Sequence, residues 1–488
     1  MSARAAHPDS LILALDQGGS SSRAIAFDAT GAAVASASVP VAERREGPDR
    51  VEQDPEELVR SLRSAAAECA RGAGGARTIA CAGLATQRSS VVCWDRETGD
   101  ALSPVLSWQD RRASAWLEHF GGEARAIHRE TGLFLSPHYG ASKLRWCLDH
   151  LEPVRRALAV GRLAMGPLAS FLAFRLLEGR PFVADPANAS RTLLWSIRSR
   201  DFDPGLLALF GIHRDVLPRC VPTRGGIGEL EIEGLRVPFR VLTGDQSAAL
   251  FASGTPRADT AYWNVGTGAF VQRACERAPE DLPRLLASLA FDDGEAATFV
   301  VEGTINGAGS ALHSVAAELG LGDVEGEVEQ MLRESADPPL FLNGVSGLAA
   351  PFWVPDFESR FVGEGSPREK IAAVLESVAF LARAILEEME LALPPPARIR
   401  ASGGLARVDG LCARLASLSG LPVDRANEPE ATARGLAWLL SGAKESWPVR
   451  GGAERFAPVA DPLLRARYDR WREEMERALP GTRRTETR

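Results

Sequence analysis

Two aspartates and three glycine-centred turns are the residues best placed to do chemistry. Asp16 ends an apolar run over residues 11–16 and opens Asp16-Gln17-Gly18-Gly19-Ser20-Ser21-Ser22-Arg23, which leads into a second apolar run. Backbone N–H groups and hydroxyls in such a turn can surround phosphate oxygens, because glycine lets the backbone come close. Asp16 could hold a magnesium ion through water, since hard cations prefer carboxylate oxygen. A flexible Gly/Ser hairpin turn is the plain alternative. Asn264-Val265-Gly266-Thr267-Gly268 repeats the design, and Ser402-Gly403-Gly404 precedes a helical pattern whose N-terminus could face phosphate or underlie an adenine. A nucleotide clamped between two lobes would use one hairpin from each. No G-x-x-x-x-G-K-[ST] is present, which disfavours a P-loop nucleotidase.

The second aspartate lies in Gly244-Asp245-Gln246, after the apolar pair Val241-Leu242 and before a small-residue helical stretch. A carboxylate there is placed to take the proton of an alcohol attacking phosphorus. A helix N-cap aspartate would read the same way. The histidines are scattered, with His119 near a helix end and His128 and His150 on polar faces. No His/Cys/Asp set has metal-ligand spacing.

The elements that must carry these residues follow from the apolar pattern. Strands are expected over 11–16, 23–27 and 33–39, then a helix capped by Asp54 with Pro55 at its first position, then strands over 79–84 and 91–95. A similar order restarts with strands over 261–265, 269–273 and 299–302, a helix over 307–319 and a long amphipathic helix over 371–391. A strand over 399–402 and a helix over 411–418 close it, and the tail from Pro480 is expected to fray. This reads as two α/β lobes, residues 1–253 and 254–488, around a cleft. The 488 residues, 45% hydrophobic with net charge −8, give ordinary globular composition and no basic patch, so nucleic acid is not an expected partner. No apolar stretch approaches the roughly 20 residues of a membrane span. Seven scattered cysteines suit reduced thiols in a cytoplasm.

The chain resembles the FGGY carbohydrate kinases, and among them the glycerol kinases. The resemblance rests on the opening turn and on Val51-Glu52-Gln53-Asp54-Pro55-Glu56-Glu57, Trp94-Asp95-Arg96-Glu97-Thr98-Gly99 and Trp108-Gln109-Asp110-Arg111-Arg112. Lys143-Leu144-Arg145-Trp146, Asn188-Ala189-Ser190-Arg191-Thr192, Gly244-Asp245-Gln246, Gly266-Thr267-Gly268-Ala269-Phe270, Ser346-Gly347-Leu348-Ala349-Ala350-Pro351 and Leu375-Glu376-Ser377 continue it in order. It implies two actin-like, ribonuclease-H-like lobes closing over ATP, Mg²⁺ and a polyol. By that resemblance Asp245 is the base. Gly19, Ser20, Ser21, Arg23, Gly266, Thr267, Gly309 and Gly404 belong to the ATP site, while Arg88, Trp108, Gln246 and Phe270 belong to the acceptor pocket. Trp108 and Phe270 read equally well as core aromatics.

Departures from the glycerol kinase pattern stand at both sites. Ser89 replaces a glutamate beside Arg88, removing a carboxylate that accepts substrate hydroxyls, and His138 replaces a tyrosine. On the nucleotide side Val408 replaces an asparagine and His313 a glutamine. The glycine-rich loop for sugar-bisphosphate inhibition has no counterpart at residues 225–240. The expected activity is ATP-dependent phosphorylation of a primary hydroxyl, glycerol to glycerol 3-phosphate. Another polyol or a ketose is the alternative acceptor, and a noncatalytic sugar sensor the alternative class. A homodimer or larger homo-oligomer is left open.

Overall fold

The structure is a computed structural model that describes residues 10–280, 282–426, 430–443, 447 and 452–479. The expectation for the tail from Pro480 lies outside the described residues. Strands β1 (Leu11–Gln17), β2 (Ser21–Phe27), β3 (Ala33–Pro40), β4 (Arg44–Glu46) and β5 (Arg50–Gln53) precede helix α1 (Pro55–Gly72). Strands β6 (Ile79–Thr86), β7 (Val91–Asp95) and β8 (Val105–Leu106) follow, then helix α2 (Gly140–His150) and strand β9 (Leu163–Pro167). A hairpin of β10 (Arg224–Ile232) and β11 (Leu235–Gly244) runs into the short helix α3 (Asp245–Ala249). The second half brings β12 (Thr260–Val265), β13 (Ala269–Cys275), β14 (Leu286–Asp292) and β15 (Ala297–Ile305), then helices α4 (Gly309–Glu318) and α5 (Pro367–Glu390). Strand β16 (Arg398–Ser402), helix α6 (Asp409–Ser419), strand β17 (Val423–Ala426), helix α7 (Ala431–Ser441) and strand β18 (Ala453–Phe456) complete it.

Two mixed sheets share one plan. The first runs β3-β2-β1-β6-β11-β10 and the second β14-β15-β13-β12-β16-β17-β18. From β3 in the first and β15 in the second, two antiparallel steps lead to two parallel steps and a final antiparallel one. The β1–β2 and β12–β13 hairpins are therefore equivalent, as their similar turns suggest. The central strands read as unbroken apolar runs because both faces are covered. Helix α1 packs on one face of the first sheet, and α7, from the second half of the chain, packs on β1 and β6 across the other. Asp54 caps α1 as expected, its side chain accepting from Glu56 N at 2.9 Å.

The expected order of three strands, a helix and two strands needs correction. Strands β4 and β5 intervene before α1, and β7 lies in a separate five-stranded sheet, β4-β5-β8-β7-β9. Charged residues dominate β4 and β5, and the Gly47-Pro48 turn separates them, so no apolar run marks either one. Strand β14 went unread because it is buried on both faces and shows no alternation. His128 is buried rather than on a polar face: a ring nitrogen lies 3.0 Å from the Leu285 carbonyl oxygen, and the ring stacks on Phe134. Among the described residues no helix is long and apolar enough to cross a membrane.

Helix α7 touches α3 so closely that one position must be glycine. A Cβ on Gly435 would fall 1.8 Å from the carbonyl oxygen of Ala248. Alanine usually stabilises a helix interior over glycine by about 1 kcal/mol, but overpacking of this kind costs about 1–3 kcal/mol. Gly435→Ala is therefore expected to lower the urea midpoint. A raised midpoint would show that α7 and α3 do not meet this way.

Candidate active site

Parallel pairing delivers the chemistry-bearing residues to one edge of the first sheet. Gln17 and Gly244 both pair with Thr86, so β1, β6 and β11 end in register. The residues beyond those ends are the Gly18 turn, the Gln87-Arg88-Ser89 turn and Asp245. Ligands of open α/β sheets gather at such carboxyl ends. Asp245 is the first residue of α3 and Gly244 its N-cap, so the N-cap alternative does not apply; its Oδ1 accepts from Gln246 N at 2.7 Å. Burial raises the Asp245 carboxyl above its usual range, while the guanidiniums of Arg88 and Arg191 pull it back down. Burial and the Asp245 carboxylate raise Asp16 to about 7, against the pull of Arg23. Two carboxylates placed so that one raises the other are groups that could hold a divalent cation.

The acceptor residues meet around Arg88. Its Nη2 donates to Gln246 Oε1 and lies 3.5 Å from Glu302 Oε2, and its stem crosses Gly244, where a Cβ would sit 2.5 Å from Cγ and Cδ. Ser89 is buried at φ 66°, its hydroxyl without a partner in the structure. Lys143 Nζ donates to the carbonyl oxygens of Ser89, at 3.1 Å, and of His138, at 2.8 Å. Burial lowers Lys143 to about 7, opposed by Asp110. Burial, then Lys143, Arg191 and Arg88, hold His138 well below the usual imidazole range, so its ring is neutral. The Trp108 and His138 rings meet edge to face at 5.4 Å, and Trp108 is 39% exposed. Trp108 is thus no core aromatic. Phe270 on β13 is half-buried.

The two hairpin turns are held differently. Gly18 N donates to Ser21 O at 3.0 Å, leaving Gly19 and Ser20 as the tip. Gln53 Nε2 donates to Gly19 O at 2.8 Å and Gln87 Nε2 to Gln53 Oε1 at 2.6 Å, tying this tip to the Arg88 turn. Arg23 pairs with Glu430 at 3.2 Å, just before α7. In the second turn Gly266 N donates to Gly268 O at 2.8 Å and Thr267 is exposed. Thr267 O accepts from Ala308 N and Ser310 N, and a Cβ on Gly309 would lie 2.9 Å from Gly266 O. Asn264 pairs in register with Ser402, so the third turn lies beside the second; Gly403, at φ 96°, packs on Val265 O. Gly404 is exposed, Val408 is buried in the core, and His313 is exposed with its Nε2 3.1 Å from Glu325 Oε1.

Residues of this site that carried no assignment from the sequence include Gln53, Gln87, Lys143, Arg191, Glu302 and Tyr139, whose hydroxyl bonds with Arg191. Lys143 and Arg191 lie inside quoted motifs, and Tyr139 lies beside His138. Glu302 closes the expected strand over 299–302; a carboxylate in an otherwise apolar strand was the available signal.

The sign of the Asp16 shift fixes a stability prediction. Its folded value, about 7, exceeds the unfolded one of about 3.9. Its contribution is therefore full below about pH 4 and is lost as pH rises through about 7. Metal-free Asp16→Asn is expected to melt above wild type at pH 8, with the gap narrowing at pH 5. Equal melting temperatures at pH 8 would contradict the buried-carboxyl reading.

Residues 11–252 match the N-terminal domain, and residues 261–443 the C-terminal domain, of the FGGY family of carbohydrate kinases. A glycerol kinase from Alkalilimnicola ehrlichii is 36% identical over 470 residues, covering 94% of this chain and 95% of that protein. One from Bordetella parapertussis is 35% identical over 489 residues, covering 95% and 96%. The crystal structure of Plasmodium falciparum glycerol kinase with ADP superposes with TM-score 0.87 at 23% identity, covering 96% of this chain and 98% of that one. A xylulose kinase from Rhodospirillum rubrum gives 0.82 at 23% identity, covering 96% and 98%. These superpositions show the fold, two actin-like lobes. With both halves of the chain matched in one order, it belongs to the FGGY family of carbohydrate kinases.

Proposed function

We propose that the protein transfers the γ-phosphoryl group of ATP to a primary hydroxyl of glycerol, giving glycerol 3-phosphate. The observation that carries this is the meeting of Asp245, Arg88 and Gln246 at the sheet edge where Asp16 and the Gly18 turn end. The glycerol kinases among the relatives, at 33–36% identity, support it.

Asp245 takes the acceptor's hydroxyl proton as the new O–P bond forms and the bond to ADP breaks. A carboxyl raised by burial is a better-matched base near neutral pH than an exposed aspartate. Arg88 and Gln246 bond the remaining hydroxyls, and Trp108 and Phe270 cover the carbon edge. Neutral His138 can both donate and accept at the wall beside Ser89. Gly19, Ser20, Ser21 and Arg23 from one lobe, residues 1–253, face Gly266 and Thr267 from the other, residues 254–488, across the phosphates. Gly309, Gly404 and His313 border the nucleoside, while Val408 belongs to the core. Mg²⁺, held by Asp16 through water, would supply positive charge to the phosphates when bound. Lobe closure excludes water, which otherwise competes as acceptor. All seven cysteines are free thiols, in keeping with a cytoplasmic setting.

The unpartnered Ser89 hydroxyl favours a second reading, an acceptor with an additional hydroxyl to meet it, such as a tetritol or ketopentose. A screen of ATP consumption over glycerol, erythritol, xylitol and D-xylulose separates the two by kcat/KM. Consumption unchanged by every acceptor would instead favour a sugar sensor or bare ATPase. Asp245→Asn is expected to lower kcat by about 10²–10⁴-fold with ATP affinity retained. Turnover close to wild type would remove Asp245 from the role of base.

A further inference from the structure

We propose that Glu302, from the second sheet, is a positioning residue that fixes Arg88 in the acceptor pocket, so that the pocket is complete only when the two lobes are docked. This rests on the acceptor reading above. Glu302 lies on β15 and is 1% exposed. Its Oε1 accepts from Arg191 Nη2 at 2.8 Å. Its Oε2 accepts from Gln272 Nε2 at 2.7 Å and lies 3.5 Å from Arg88 Nη2. Gln272 and Glu302 are register partners on β13 and β15, whereas both arginines come from the first half of the chain. The contact is therefore a fully buried ionic bridge across the lobes.

Its geometry assigns it to the pocket rather than to general stability. A buried ion pair gains little over apolar packing of the same volume, so stability alone does not account for one here. Arg88 and Arg191 repel, as the lowering of Arg88 by burial and by Arg191 shows. Burial would raise Glu302, yet the two guanidiniums bring it down to about 2, so it stays charged between them. The Nη2 that faces Glu302 also donates to Gln246, the neighbour of Asp245. The missing side chain of Gly244 is what admits the Arg88 stem here. Phe270, two residues before Gln272, shares its face of β13, so the platform under the acceptor and the anchor of Arg88 come from one strand face. Next to Arg88 in sequence stands Ser89, with no charge, so the carboxylate that faces the Arg88 guanidinium is Glu302 of the second sheet.

Steady-state kinetics of wild type, Glu302→Gln and Glu302→Asp with ATP and, in parallel, glycerol, erythritol and D-xylulose test this. In Glu302→Gln the acceptor KM is expected to rise at least about 30-fold, the effect of unpairing a buried guanidinium, with the KM for ATP within about twofold. Glu302→Asp, which keeps the charge, is expected to fall between. An acceptor KM that is unchanged, or that rises only in step with the KM for ATP while melting temperature drops, overturns the proposal. If Glu302→Gln does not fold, the same split in Glu302→Asp decides. Wild type turning over an acceptor beside an unaffected variant defeats this inference alone. Wild type turning over none of the three defeats the acceptor reading, and this one with it.

Discussion

The site depends on a chain of opposite charges kept out of water: Asp245 against Arg88 and Arg191, and these against Glu302. Burial raises the Asp245 carboxyl, and the arginine neighbours oppose that rise. The two guanidiniums repel each other unless something neutralises them. Glu302 does so from the other sheet. Each member restores what the previous one costs, and the chain crosses the cleft. The contact between the two sheets and the charge environment of Asp245 therefore share one group of residues.

The scaffold makes this arrangement cheap. Parallel strands ending in register put Gln17, Thr86 and Gly244 at one level, so three separate turns converge without any long loop. The same plan in the second sheet puts Asn264 beside Ser402, and with them the second and third glycine turns. Glycine is required where these turns meet other backbone: Gly309 against Gly266, and Gly403 against Val265. At Gly19, by contrast, a Cβ would meet nothing, so packing does not require that glycine. Helix α7 then reaches back from the second half to cover the first sheet, which ties the two units by more than the cleft contacts.

Much of this was legible in the sequence because it is local. The strand-turn-strand units around Gly18 and Gly266, the Asp54 cap and the Asp245 position are encoded in contiguous residues, and motif order carried the family. What stayed hidden is non-local. Gln53 and Gln87 lie 34 residues apart and hold the first turn only through the fold. Arg191 and Glu302 lie 111 apart, and no spacing rule connects them. The strands β4, β5 and β14 escaped for a different reason: short charged segments and fully buried runs lack the alternation that marks a strand.

The two acceptor-side departures from the glycerol kinase pattern occupy positions whose backbone is fixed independently of their side chains. Ser89 holds a left-handed conformation, which costs a non-glycine residue on the order of 1 kcal/mol or more and persists only where its surroundings impose it. Lys143 holds the Ser89 carbonyl, together with that of His138, on one ammonium. That ammonium is itself costly, since burial brings Lys143 to about 7. The expense goes into a frame that does not consult the side chains at 89 and 138. Those side chains can then change size and polarity while Arg88, Gln246 and Asp245 stay in place. Side-chain charge thus holds Arg88 and Gln246, while main-chain contacts hold the wall at residues 89 and 138.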